Sequence, residues 1–196
     1  PLAIAALALV SAGSALAESQ YGYSSTGTGT ITATAKVNLS VVIPKLILLK
    51  VGTTNATVDT VSWTAALSIP ATPTVPTTTA NNTVVPWDGN APTVTSTPSG
   101  NVLAVAAWTN AGAGTINCSV AAWSATGGPA NANFTVTSAG ATPVPHPGAN
   151  LGACASTPFA SNTLLSSNWT YALTGTPSSW TAGTYTTTVT YTAQGI

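Results

Sequence analysis

The chain has 196 residues, of which only 3% are charged, against about a quarter in an ordinary soluble domain. Its six charged side chains, Glu18, Lys36, Lys45, Lys50, Asp59 and Asp88, cancel to a net charge of zero, and none follows Gly89. That distribution excludes a basic groove for nucleic acid, while 44% hydrophobic content and six tryptophans exclude a disordered chain despite the abundance of Thr, Pro and Gly.

Residues 1–17 read as the apolar core and cleavage region of a bacterial secretory signal. Ala15-Leu16-Ala17 gives the small-x-small pattern, with cleavage expected before Glu18. The apolar run from Leu2 to Val10 is too short to span a bilayer. If the segment is retained instead, Leu2, Ile4, Ala6, Ala8 and Val10 line one side of an insertion strand for a neighbouring subunit. Residues 18–196 are then expected to form a single β-sandwich domain.

The most regular stretch is GTITATAKVNLSVVIP, residues 29–44. Every odd position from 31 to 43 is apolar: Ile31, Ala33, Ala35, Val37, Leu39, Val41 and Ile43. A period of two is the mark of a half-buried strand, and one this long reaches roughly 40 Å, beyond the usual strand length. LILLKV, Leu46 to Val51, follows as a short strand expected to be buried on both faces. DTVSWTAALSIP alternates with Val61, Trp63, Ala65, Leu67 and Ile69 on one side. A Pro/Thr-rich loop is expected over 70–82 and a turn at Asp88-Gly89.

In NVLAVAAWTN Ala and Leu also permit helix, but the flanking Gly100 and the NAGAG turn favour a strand; further strands are predicted in TINCSVAAW with Ile116, Cys118 and Val120 on one face, and in NANFTVTSA with Phe134 and Val136 inward. TPVPHPGANLGA reads as a loop. SNWTYALTG and GTYTTTVTYTA alternate again, the latter through Tyr185, Thr187, Val189, Tyr191 and Ala193. No stretch beyond the leader keeps a helical period. Short strands at regular spacing with Gly/Pro turns predict an all-β protein, an immunoglobulin-like antiparallel β-sandwich with an extended N-terminal strand.

Cys118 and Cys154 are the only cysteines, and an even count in an exported chain predicts a disulfide between them. The chemistry of catalysis is thin. The lone His146 sits between Pro145 and Pro147, far in sequence from Asp59 and Asp88, and no phosphate loop or metal-ligand spacing occurs. The expectation is no enzyme, no cofactor, no metal and no small-molecule substrate. Among the tryptophans, Trp63, Trp108 and Trp169 fall on apolar strand phases and are expected in the core. Trp87 and Trp180 lie beside turns and are candidates for stacking on glycans. Six Asn-x-Ser/Thr sequons begin at Asn38, Asn55, Asn81, Asn117, Asn133 and Asn168.

The exported precursor, the alternating GTGTITATAKVNLSVVIP, the single pair of cysteines and the C-terminal AGTYTTTVTYTAQ with Tyr191 near its end together resemble bacterial fimbrial subunits assembled by donor-strand exchange. The resemblance covers the two ends of the chain. Cys118 lies mid-chain, where such subunits place a cysteine just after the first strand. It implies a structural subunit of an extracellular filament, whose partners are copies of itself and a periplasmic chaperone or other assembly machinery. One subunit's N-terminal strand would complete the sheet of the next. The competing expectation is a secreted carbohydrate-binding or adhesin domain.

Overall fold

The computed structural model describes residues 19–54, 56–71, 74–76 and 79–196. The leader-like segment, with Leu2, Ile4 and Val10, therefore lies outside the described residues. The chain divides into two compact units, residues 1–44 and Lys45–Ile196.

In the first unit, the expected strand over 31–43 belongs to no sheet among the described residues. Its apolar side chains face solvent: Val37 is 79% exposed, Leu39 87%, Val41 83% and Ile43 75%. The physical reason is that alternation specifies a face but does not supply a partner. A strand's backbone N–H and C=O groups need a neighbouring strand to form a ladder.

The second unit holds nine strands among the described residues, all of whose pairings are antiparallel. These are β1 (Ile47–Val51), β2 (Ser62–Ser68), β3 (Thr93–Ser99), β4 (Val102–Thr109), β5 (Gly114–Val120), β6 (Phe134–Thr142), β7 (Thr157–Phe159), β8 (Leu165–Leu173) and β9 (Val189–Gly195). They form a four-stranded sheet ordered β1-β4-β8-β6, a three-stranded sheet ordered β7-β5-β9, and the separate pair β2-β3. Three single-turn 3-10 segments are the only helical pieces described.

Alternation in the central strands gives the core. Val105 and Ala107 from β4, Ile116 from β5, Phe134 and Val136 from β6, and Leu165, Trp169 and Tyr171 from β8 all join one buried cluster. Both large sheets contribute to it. Burial of side chains this size stabilises by about 1.5–3 kcal/mol each. Thr109 and Ser167 are buried beside them, and each has a partner: Thr109 Oγ1 donates to Leu46 O at 3.1 Å, and Ser167 Oγ accepts from Val144 N at 3.2 Å.

Two sequence expectations are corrected here. β1 is not covered on both faces, since Leu48 is exposed. Trp108 is not a core residue either: it pairs with Leu48 on the outer side of β4, while Val105, Ala107 and Thr109 take the inward phase. The run of small apolar residues around Trp108 makes either phase of β4 look apolar, so sequence alternation does not decide the face. The β6–β8 ladder shifts register between Ala139 and Thr142. Gly140 lies there with its Cα so close to Ser166 O that a Cβ would stand 2.6 Å from it, which explains a glycine at the bulge.

The Pro/Gly loop after β6 is pulled into the core rather than lying over it. Val144 and Pro147 are fully buried. Val144 O accepts from Trp169 Nε1 at 2.9 Å and from Ser138 Oγ at 2.7 Å. Cys118 of β5 and Cys154 form a disulfide with a Cα–Cα distance of 5.3 Å, tying the end of this loop to the three-stranded sheet. Closing the loop it bridges stabilises by about 4 kcal/mol through unfolded-state entropy.

Candidate functional site

The first element of the candidate site is the segment 31–43 itself. Ile31, Ala33, Ala35, Val37, Leu39, Val41 and Ile43 are all exposed, and so are the intervening Thr32, Thr34, Lys36, Asn38, Ser40 and Val42. Alternation in an exposed segment is the sequence pattern that strand addition to a sheet edge uses, where main-chain bonds give affinity and alternate side chains give register.

The second element lies wholly within the other unit, on the side where β1 and β9 lie against each other. Each is an edge strand: β1 pairs with β4 and β9 with β5. Their inward side chains, Ile47, Leu49 and Val51 on β1 and Val189, Tyr191 and Ala193 on β9, are only partly buried although packed on the core. The opposite edges differ. Phe134 and Val136 on β6 and Phe159 on β7 are buried. Core cover is thus incomplete on one side of the fold, the side bounded by β1 and β9.

Position on that side is fixed by polar contacts. Leu46 N donates to Asn110 Oδ1 at 2.7 Å, and Asn110 N donates to Leu46 O at 3.2 Å, so the start of β1 is held two residues after Pro44. β9 is prolonged by ladder-like bonds from Ala121 N to Thr188 O and from Ser124 N to Thr186 O, both 2.9 Å. Behind β9, Tyr191 Oη lies 2.8 Å from Tyr171 Oη and 2.9 Å from His146 Nε2. Burial pushes the Tyr191 and Tyr171 hydroxyls above the ordinary phenol range and pushes His146 below the ordinary imidazole range.

Of the remaining candidates, Trp87 is 59% exposed, and its indole Nε1 donates to Asn90 O at 2.7 Å. Asp88 braces the same turn by accepting from Asn90 N and Nδ2, which holds its carboxyl below the usual range. Trp180 is half-buried, with its ring over Gly175. Trp87 and Trp180 come from different turns. Trp63 and Trp123 both contact Phe134, at ring-centroid distances of 5.2 and 5.4 Å. No group of three His, Cys, Asp or Glu side chains comes together among the described residues.

Sequence reasoning missed the role of His146, which it placed only in a loop. The signal was present in the flanking prolines, whose missing N–H groups and apolar rings make such a loop cheap to bury. Against known protein families, curated proteins and solved structures, the chain matches none.

Proposed function

We propose that this chain is a structural subunit of an extracellular filament, built as an immunoglobulin-like β-sandwich and polymerising by β-strand addition. Residues 31–43 of one copy add to the open β9 edge of the next. The observation that carries this reading is the exposed alternating segment, with seven apolar side chains on one phase. The half-covered β1 and β9 side chains supply the matching apolar surface.

Local chemistry disfavours a tight hairpin between residues 31–43 and the same chain's β1. Only Pro44 and Lys45 separate Ile43 from Leu46, which is already bonded to Asn110. The two-residue turns that join hairpins, types I′ and II′, both require positive φ at their first central residue. A proline ring fixes φ near −65°, so Pro44 forbids either turn. A contact between unlike surfaces that does not close generates an open filament.

The low charge supports the same reading, since copies repel one another little. The disulfide is compatible with an oxidising extracellular or periplasmic location. Secretion by a bacterial export route, and a chaperone that shields the open edge before assembly, complete the proposal.

The direct test is negative-stain microscopy of the purified full chain across a concentration series, with cross-linking from residue 39 to β9. Filaments that disappear when 31–43 is replaced by a Gly/Ser sequence support the reading. Monodisperse monomers at every concentration overturn it. A carbohydrate-binding domain remains the second reading because the Trp87 ring is both exposed and fixed by its hydrogen bond. Glycan-array binding lost in Trp87→Ala, without filaments, would favour it.

A further inference from the structure

His146 is the one histidine of the chain, and its surroundings determine every hydrogen position in the network behind β9. Nδ1 lies 2.6 Å from Gly148 O. A carbonyl only accepts, so Nδ1 carries the proton and Nε2 of the neutral ring accepts. Tyr191 Oη, 2.9 Å away, therefore donates to Nε2, and Tyr171 Oη donates to Tyr191 Oη at 2.8 Å. Three donors meet three acceptors. The imidazole also stands edge-on to Trp169, with ring centroids 4.8 Å apart.

A second proton on the ring breaks this balance. Nε2 becomes a donor to Tyr191 Oη, and whichever way the two hydroxyls then turn, one of their hydrogens has no acceptor within the network. Among the described residues, no acidic side chain contacts the ring to balance the new charge. The groups facing the ring are Trp169 and Tyr171 from β8 and Tyr191 from β9. On the adjoining side, Cys118 of β5 is locked in its disulfide, with Sγ 3.3 Å from Pro147 O. No Asp, Glu, Lys or Arg occurs anywhere from residue 89 onward. The acidic side chains among the described residues, Asp59 and Asp88, are engaged with Thr53 and Asn90.

We propose that His146 is an acid-sensitive latch on β9, holding the edge strand through Tyr191 while the ring is neutral and loosening it when the ring is protonated. The consequence for polymers, that acid weakens donor-strand seating, rests on the filament reading; the latch itself does not. The sign follows from burial, which lowers the affinity of His146 for a proton in the folded chain. The unfolded or opened chain, whose histidine titrates near about pH 6.5, then binds more protons. Stability is fully present above that pH and is lost as pH falls below it. Carboxylates ordinarily titrate around pH 4, so His146 is the side chain that changes charge between pH 7.5 and 5.

The test measures amide hydrogen exchange of residues 189–195 in the full chain from pH 7.5 to 5, corrected for intrinsic exchange, in wild type and His146→Gln. The expected result in wild type is an opening equilibrium that rises as pH falls below about 6.5, with a slope no steeper than tenfold per pH unit, the limit for one proton. The variant should be flat over the same range. A flat wild type, or an equal slope in the variant, overturns the proposal. If the variant does not fold, NMR titration of the wild-type imidazole decides: a ring that titrates at or above its ordinary value overturns it, and one that titrates below it with coincident loss of protection in β9 supports it. Sedimentation of polymer at pH 7.5 and 5 is read separately. Absence of polymer at pH 7.5 counts against the filament reading and leaves the exchange result standing.

Discussion

The sharpest test of the filament reading is Leu39→Ala. Leu39 is 87% exposed in the single chain, so its removal should leave the stability of the fold unchanged within about 0.5 kcal/mol. In the proposed polymer the same side chain would be buried. Alanine lacks three of the leucine carbons, and at about 0.8 kcal/mol per buried CH₂ the loss is about 2.4 kcal/mol, or roughly 50-fold in the association constant. Critical concentration measured by sedimentation reads the second quantity, and urea denaturation below that concentration reads the first. Ser40→Ala is the phase control, because its side chain lies on the other side of the segment and should change neither. Equal shifts for Leu39→Ala and Ser40→Ala, or a loss of monomer stability as large as the loss of association, would refute the reasoning.

Three more outcomes follow from the packing. Replacing Cys118 and Cys154 with serine should destabilise the fold by about 4 kcal/mol, seen as a lower urea midpoint with a steeper slope, because the denatured chain expands once the cross-link is gone. Trp169→Ala removes a fully buried ring and a hydrogen bond to Val144 O and should cost about 3–5 kcal/mol by the same assay. Trp108→Ala should cost well under half of that, because the ring lies on the outer side of β4; comparable losses for the two tryptophans would place Trp108 in the core after all. Gly114→Ala should also destabilise, since its Cβ would stand 2.5 Å from the Phe159 ring; a lower thermal midpoint checks it, and an unchanged one would mean that Phe159 moves aside freely.

Much of the all-β pattern is readable from alternation. β5, β6, β8 and β9 fall where period-two segments predict them, β4 falls where flanking turns predict a strand, and Ile116, Phe134, Val136, Trp169 and Tyr171 are buried as their phase requires. What alternation does not carry is partnership. Residues 31–43 have the best strand signature in the chain and no ladder among the described residues, while β3, with the weakly patterned TVTSTPS, is paired along its length with β2. The short β7 escapes for the same reason: three residues carry no period, and its place comes from Phe159 packing over Gly114. Leu67 shows the converse, an apolar-phase residue of the separate β2-β3 pair that stays exposed while Trp63 of the same phase packs on the core. The site was half visible. The alternating segment could be found by counting, whereas the His146 network depends on a contact between residues 45 positions apart and the β1 and β9 edges on pairings between strands further apart still.

The tether of Pro44 and Lys45 has a mechanical consequence. Two extended residues span only about 7 Å, and Leu46 is already anchored to Asn110. In a filament joined through residues 31–43, tension therefore passes from one subunit's inserted strand almost directly into β1 of its own body, with no slack to absorb it. Lengthening the tether with a flexible Gly/Ser insert would add compliance between subunits without touching either contact surface.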